Sequence, residues 1–311
     1  MSSWTIGNVR LIKNLIDGAD CEIIEDGPLL KRVRIIHKID ASSITQDIVI
    51  TDDGPRIDFE TTVDWNEWGD DDRDAPMLKV CFTPDIKNAN AVYEIPFGAV
   101  TRLTGDFEYP ALRWVDISDG DYGFALLNDS KHGYKCRGNG LELTLIRSGW
   151  MPDQKSDIGK HQFVYSILPH SGCYTSGNVV AEASYLNNPV LATIVDTKER
   201  DAPAALVSSG INGHRSHMVR PASECYSMLM VDNTEVQVAA VKQAEEGTDF
   251  IVRLFNTANE EINTKLTCGF EICEAEECDF LERRVSECIK NDSCSLKLVF
   301  RPFEIKTIRI N

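Results

Sequence analysis

Five side chains of different chemistry lie within one short segment. Asn128, Asp129, Lys131, His132 and Tyr134 supply an amide, a carboxylate, an ammonium, an imidazole and a phenol. Amides and carboxylates bind sugar hydroxyls, an ammonium adds positive charge, and a tyrosine ring offers an apolar face to a pyranose. An ordinary hairpin tip, whose polar side chains bond to nearby backbone groups, accounts for the same residues. The segment alone therefore leaves a carbohydrate contact and a plain turn as alternatives.

Alternating apolar and polar residues predict β-strands around this segment. The pattern is clear in residues 141–147, 250–255 and 295–300, and a period of two places the apolar side chains on one face of a strand. Asn139-Gly140, between two such runs, is a strong hairpin signal because both residues tolerate a positive φ. Segments with helical spacing are nearly absent. Many short strands joined by turns predict an all-β chain built from sandwiches.

The predicted strands fall into two groups. Residues 1–195 are expected to form a large β-sandwich, and residues 220–311 a smaller β-domain. The stretch between them, 196–219, is charged, contains glycine and is interrupted by proline, which is typical of a linker. Because the two units could share one core, we expect this boundary to be soft.

Charge and hydropathy exclude several classes of partner. The 311 residues carry a formal net charge of −17, which repels nucleic-acid phosphates and anionic membranes. No run approaches the roughly 18 apolar residues of a membrane-spanning helix. The first residues also lack a basic stretch followed by an apolar run, so no secretory signal is expected. We therefore expect a cytoplasmic protein that binds neither nucleic acid nor membrane.

The ten cysteines are predicted to be reduced thiols. No Cys-x-x-Cys occurs anywhere in the chain, although structural zinc sites usually contain such close pairs. Without a secretion signal, buried free thiols are the simpler expectation. One or two disulfides remain an alternative for the last five, Cys268, Cys273, Cys278, Cys288 and Cys294.

No motif of a self-contained hydrolase is present. The chain has no Gly-x-Ser-x-Gly elbow and no histidine pair with metal-ligand spacing. Asp58 and Glu60 are expected on the solvent face of a strand, and Asp119 and Asp121 in a turn. The acidic loop at residues 70–74 lacks the spacing of a calcium loop. The residues therefore predict neither a catalytic group nor a metal site in this chain.

One long run carries a specific resemblance. Residues 113–123 (RWVDISDGDYG), followed by 125–134 (ALLNDSKHGY), resemble the C-terminal half of glycoside hydrolase family 38 α-mannosidases of the cytosolic and bacterial branch. The resemblance covers nearly the whole chain, through matching segments at residues 58–65, 143–148, 165–170, 241–245 and 301–307. It implies a galactose-mutarotase-like β-supersandwich followed by a smaller β-sandwich.

The resemblance also implies a division of labour. The family's aspartate nucleophile and zinc-type metal lie in an N-terminal α/β catalytic domain, so no cofactor, catalytic residue or independent hydrolysis is expected of this chain. It would pack on that domain, in cis or in trans, and line the rim of a pocket for a mannose-containing oligosaccharide. Motif positions imply a rim formed by Asn128, Asp129, Lys131, Tyr134 and, more weakly, Arg137. Residues 66–67 and 68–76 depart from the family pattern.

Two further functions stay open at the level of sequence. The chain could be a stand-alone carbohydrate-binding or scaffolding module that completes the site of a partner. It could also be a sugar mutarotase or epimerase of the same β-fold, which requires a histidine and a glutamate facing each other as acid and base. His170 and Glu182 are the candidate pair.

Overall fold

The computed structural model describes residues 6–70, 72, 74–87, 90–149, 151–191 and 226–311. These residues form twenty-two β-strands, which are arranged in four sheets, and one α-helix. This confirms the predicted all-β fold. The predicted linker, 196–219, lies outside the described residues.

Thirteen strands and the helix make up the first part of the chain. In chain order they are β1 (Asp20–Asp26), β2 (Leu30–Ile39), β3 (Ser42–Thr51), β4 (Ile57–Trp65), β5 (Leu78–Phe82), β6 (Asn90–Ile95), β7 (Gly98–Arg102), β8 (Tyr109–Pro110), β9 (Trp114–Ser118), β10 (Tyr122–Asn128), β11 (Gly133–Arg137), β12 (Gly140–Ile146), β13 (Gly159–Ser171) and α1 (Val179–Asn187). They form a nine-stranded sheet, β1-β2-β3-β4-β13-β10-β9-β6-β7, and a four-stranded sheet, β5-β12-β11-β8.

The two sheets pack face to face as a sandwich, because alternation sends every second side chain of a strand toward the other sheet. Val63, Ile117 and Leu126 from the large sheet meet Leu141 and Leu143 from the small one, all fully or almost fully buried. This inner face forms the main core. The opposite face of the nine-stranded sheet is called here the outer face.

The outer face has two halves of different composition. Over β9, β10 and the end of β13, Trp114, Leu127 and Leu168 pack against Val179 and Val180 of α1. Over β2, β3, β4 and the start of β13 the outer face is polar instead. The single helix of the described residues thus covers the apolar half, and its nine residues are the one element that the strand pattern did not predict.

The second part of the chain is a smaller sandwich. Its strands are β14 (Leu229–Val231), β15 (Val236–Gln243), β16 (Phe250–Asn256), β17 (Ile262–Cys268), β18 (Ala275–Cys278), β19 (Arg284–Glu287), β20 (Ile289–Asp292), β21 (Ser295–Phe300) and β22 (Ile305–Ile310). Sheet β15-β16-β22-β18-β19 packs on sheet β14-β17-β21-β20 around Leu254, Leu266, Leu296, Phe300 and Ile308.

Direct contacts join the two sandwiches. The rings of Phe97 and Phe255 meet edge to face with their centroids 5.3 Å apart. The Tyr174 hydroxyl, just before α1, donates a hydrogen bond to the Thr257 carbonyl oxygen at 3.1 Å. The two sandwiches therefore meet at a specific interface.

Candidate functional site

A groove of about 360 Å³ lies at one end of the first sandwich, beside the loop that joins β10 to β11. The end of β12 and the start of β13 form its other wall. Its charged and titratable lining consists of Glu108, Lys131, His132, Arg147, Asp157 and His161. This cavity is called the Lys131 groove below.

Asn128 holds the loop from inside. Its side chain is 0% exposed. The amide nitrogen donates to the Leu112 carbonyl oxygen at 3.1 Å and to the Tyr134 hydroxyl, while the amide oxygen accepts from the Lys131 backbone N–H. Since donors and acceptor are all used inside the protein, the side chain fixes the path of the loop.

Tyr134 is buried in the same network. Its ring is 0% exposed, and its hydroxyl lies 3.3 Å from the Leu126 carbonyl oxygen, to which it donates. Burial raises the pKa of Tyr134 well above its usual range, so the phenol stays neutral. Neither Asn128 nor Tyr134 reaches the surface of this chain. The structure therefore places these two predicted rim residues in the interior of the loop, where they support it.

Asp129 is exposed and continues the pairing of β10 with β13. Its backbone N–H donates to the Val164 carbonyl oxygen at 3.1 Å, and its carboxylate accepts from the Val164 N–H at 3.0 Å. The carboxylate also accepts from the Ser130 hydroxyl at 2.8 Å. These bonds are those of the plain-turn alternative, and they leave Asp129 at the surface beside the groove.

Lys131 differs from its neighbours because its charge has no direct partner. The ammonium nitrogen lies 4.4 Å from the centroid of the Phe163 ring, and the side chain is half-buried. Within the described part of the chain, no hydrogen-bond acceptor or carboxylate contacts this ammonium. Burial lowers the pKa of Lys131, and the more distant carboxylates of Asp129 and Asp157 only partly offset the effect.

Two imidazoles of the groove each have one ring nitrogen without a hydrogen-bond partner among the described residues. His132 Nδ1 lies 3.1 Å from the Ala111 carbonyl oxygen, and His161 Nε2 lies 2.7 Å from the Asp157 carbonyl oxygen. A carbonyl oxygen only accepts, so these two nitrogens carry the hydrogen. The remaining nitrogen of a neutral ring can accept a hydrogen bond.

Arg137 does not belong to the groove. It ends β11 on the side away from Gly133, and its guanidinium pairs with the Asp106 carboxylate at 3.1 Å with both side chains exposed. Arg147, Asp157 and His161 take its place in the lining. Sequence reasoning missed these three because nothing in their local pattern links them to the β10–β11 loop.

The candidate acid–base pair of a mutarotase is not formed. Glu182 binds Arg56 at 2.9 Å, whereas the His170 Nε2 lies 2.7 Å from the Asp116 carboxylate. The side chains of His170 and Asp116 are 4% and 0% exposed, so a sugar cannot reach them. This corrects the pairing of His170 with Glu182 that the sequence suggested.

The His170 ring fits into a tightly enclosed space on the outer face. A Cβ atom on Gly123 or on Gly177 would overlap the ring, so both positions require glycine. Burial opposes the charged ring, but the hydrogen bond with Asp116 outweighs it and raises the pKa of His170. Burial also raises the pKa of Asp116. We interpret the two groups as a structural ion pair inside the sheet packing.

A second hollow, of about 270 Å³, lies on the polar half of the outer face. Here Asp47 accepts two hydrogen bonds from Arg34, at 2.7 and 2.8 Å, and one from Arg32 at 3.2 Å. Arg32 also binds Glu60. The hydrogen bonds of Arg34 lower the pKa of Asp47, although burial opposes them. The charges of this hollow thus neutralise one another.

Further features of the described residues concern metal binding, thiols and membrane segments. They contain no group of three or more His, Cys, Asp or Glu residues that could hold a metal ion. Nine of the ten cysteines are free thiols in the structure, and Cys225 lies outside the described residues. None of the helices that the structure describes is both long and apolar enough to cross a bilayer.

Comparison with known proteins identifies the family. Residues 2–155 match the glycosyl hydrolases family 38 C-terminal domain, and residues 235–308 match the glycosyl hydrolases family 38 C-terminal beta sandwich domain. The chain belongs to the C-terminal region of glycosyl hydrolase family 38. The two matched segments lie in the first and the second sandwich of this family 38 region, respectively.

Relatives of this family 38 region are α-mannosidases. The chain is 32% identical to α-mannosidase G of Dictyostelium discoideum over 95% of its own length and 26% of the relative. It is 31% identical to mouse α-mannosidase 2C1 over 86% of its length and 24% of the relative. The chain thus spans about a quarter of the curated relatives that it matches.

A solved structure shares the fold. The α-mannosidase of Enterococcus faecalis V583 superposes with a TM-score of 0.71 at 17% sequence identity, over 94% of this chain and 35% of that one. At this level of identity the match concerns the fold alone.

Proposed function

We propose that this family 38 region is the non-catalytic C-terminal part of an α-mannosidase, which packs on a catalytic portion and forms part of the rim of its carbohydrate pocket. The observation that carries the proposal is the alignment of nearly the whole chain with about a quarter of each α-mannosidase relative. The remaining three quarters of such an enzyme would hold the nucleophile and a zinc-type metal.

The state of the buried carboxylates supports a non-catalytic role. A glycosidase needs one carboxylic acid and one carboxylate facing each other across the scissile bond. Asp47, Glu94 and Asp116 are almost fully buried. They are engaged by Arg34, Arg113 and His170 respectively, so none of these three carboxyl groups is available to a sugar.

Exposed apolar side chains at the start of the chain support packing on a further portion. Leu11, Ile12 and Ile16 are 83%, 77% and 79% exposed, and Ile23 of the edge strand β1 is 68% exposed. All seven residues of β1 are exposed, and β1 pairs with a single neighbour, β2. Such an uncovered edge with apolar side chains is typical of a surface that another polypeptide covers.

The rim contribution is proposed for the surface of the β10–β11 loop. Lys131 has an ammonium with donors to spare, and Asp129 lies beside it at the surface. Sugar hydroxyls accept from the first and donate to the second. Asn128 and Tyr134 would act indirectly, by fixing the loop from within.

The free thiols favour a reducing compartment for this protein. Nine unpaired cysteines are typical of the cytosol rather than of secreted proteins, where close thiols become oxidised. A cytoplasmic α-mannosidase region is therefore our proposal for its location.

Complementation tests the proposed function. The 311-residue chain is purified alone and also co-expressed with an α-mannosidase G from which the matching quarter has been removed. We expect no hydrolysis of an aryl α-mannoside by the chain alone and restored hydrolysis with the truncated enzyme. Turnover by the chain alone would contradict the proposal, as would a failure to bind or activate the truncated enzyme.

The rim is tested in the complemented enzyme. Lys131→Met keeps the aliphatic stem over Phe163 and removes the charge, so we expect KM for an oligomannoside to rise about ten-fold with little change in kcat. Lys160→Met is the matched control, since Lys160 is exposed on the same strand as Phe163. Equal KM values for the two variants would remove Lys131 from the rim.

A further inference from the structure

The Lys131 groove combines cationic groups in a chain whose net charge is −17. Lys131 and Arg147 are the positively charged side chains of its lining. Among the carboxylates that line it, Glu108 is already engaged by Lys79 and by the Thr144 hydroxyl, the latter at 3.0 Å. Asp157 is then the remaining carboxylate of the lining.

The Lys131 ammonium is the group of the groove best placed to bind an anion. It is half-buried over the Phe163 ring and contacts no acceptor among the described residues. Its three N–H donors have lost part of their water without gaining protein acceptors, which is unfavourable for a charged group. An anion in the groove would supply those acceptors and a compensating charge.

The two imidazoles of the groove can report on a bound ligand. His132 and His161 each bond one ring nitrogen to a backbone carbonyl oxygen, which holds the ring in place at the wall of the groove. A ligand on the Lys131 ammonium would lie beside these two rings, so their NMR resonances should respond to it.

We infer that the Lys131 groove binds a phosphate monoester, with the Lys131 ammonium as the principal donor. The ligand that fits best is a mannose unit bearing a phosphate group. The sugar part of this ligand rests on the proposed function, whereas binding of the phosphate group does not.

The test uses the 311-residue chain alone. Inorganic phosphate, mannose 6-phosphate and mannose are titrated separately by calorimetry, and the imidazole resonances of His132 and His161 are followed by NMR. We expect saturable phosphate binding at millimolar concentration, shifts at both imidazoles and weaker binding in added salt. Unchanged imidazole resonances together with no saturation would overturn the inference.

Two variants with opposite expected effects separate the groove from general surface charge. Lys131→Met should weaken phosphate binding about ten-fold or more, whereas Asp157→Asn should strengthen it because it removes a negative charge from the lining. Lys160 is exposed on β13, the strand that carries Phe163. Lys160→Met should therefore bind phosphate like the wild type. Equal affinity in all three variants would overturn the inference, and thermal unfolding curves show whether each variant is folded.

The sugar part has its own outcome. Mannose 6-phosphate binding more tightly than inorganic phosphate supports the phosphorylated mannose, and equal affinity supports the anion site while overturning the sugar part. Binding of mannose without any binding of phosphate overturns the inference but leaves the proposed rim intact. Failure of the complementation experiment with retained phosphate binding would overturn the proposed function alone.

Discussion

The polar half of the outer face and the Lys131 groove both contain partly buried charged side chains, but these are paired on the outer face, whereas the Lys131 ammonium in the groove is not. On the outer face, Asp47 of β3 binds Arg32 and Arg34 of the neighbouring strand β2, and Arg32 also binds Glu60 of β4. In the groove, the Lys131 ammonium lies over an aromatic ring without an acceptor. The charges around Asp47 are therefore paired within the sheet, whereas the charge of Lys131 has no ionic partner among the described residues.

This difference separates charges that stabilise the fold from charges that bind. When one partner of a buried ion pair is removed, the other is left as an uncompensated charge, which strongly destabilises the fold. A half-buried cation without a partner is already costly, so its removal should be tolerated. Stability measurements can therefore sort the two regions without any knowledge of the ligand.

The largest effect is expected at the apolar half of the outer face. His170→Ala leaves the Asp116 carboxylate, which is 0% exposed, without its partner. We expect a loss of about 3–5 kcal/mol in the free energy of unfolding, measured by urea denaturation. The double variant with Asp116→Ala should lose clearly less than the sum of the single variants, because the orphaned charge is gone. Additive losses would contradict the assignment as a structural ion pair.

A somewhat smaller effect is expected at Asp47. Asp47→Ala leaves the guanidinium groups of Arg32 and Arg34 without their shared carboxylate. Because both arginines are partly exposed to water, we expect a loss of about 2–3 kcal/mol. Asp20→Ala, at an exposed position of the edge strand β1, is the control and should change stability by less than about 0.5 kcal/mol. Similar losses in both variants would mean that the network does not stabilise the sheet.

The pH dependence of unfolding gives a second test of the Asp47 network. The hydrogen bonds of Arg34 lower the pKa of Asp47 below its ordinary value. The unfolded chain then binds a proton at higher pH than the folded one, so the stabilisation is complete above the ordinary value and disappears as the pH falls through the lowered one. Urea titrations below about pH 4 should therefore show a steeper loss in the wild type than in Asp47→Ala. Parallel curves would argue against this linkage.

The smallest effect, and of opposite sign, is expected in the groove. Lys131→Met should leave the free energy of unfolding within about 0.5 kcal/mol of the wild type or raise it, because a desolvated charge is removed. Burial lowers the pKa of Lys131 in the folded chain. At pH values between this lowered pKa and the ordinary one, the unfolded chain therefore binds more protons than the folded chain. The wild type should therefore gain stability relative to Lys131→Met as the pH rises toward about 10. A large loss in Lys131→Met would show that its charge is structural after all.

The site was predicted from the sequence only in part. The β10–β11 loop was found because five polar types stand close together in the chain, and Lys131 does face a groove. Asn128 and Tyr134 were expected at the surface by the same reasoning, yet both are 0% exposed. A polar side chain serves equally well inside a loop, where it satisfies backbone groups, so residue type alone does not reveal the direction in which it points.

The local pattern of the sequence determined that this chain is all β and that it resembles family 38 α-mannosidases, because alternation and motif order are readable over a few residues at a time. Only the tertiary structure decided which charges are paired. His170 met Asp116 instead of Glu182, and Lys131 was joined by Arg147 and His161. These contacts depend on strand register and on how the two sheets of a sandwich meet at their ends, and both are set by packing across the whole core.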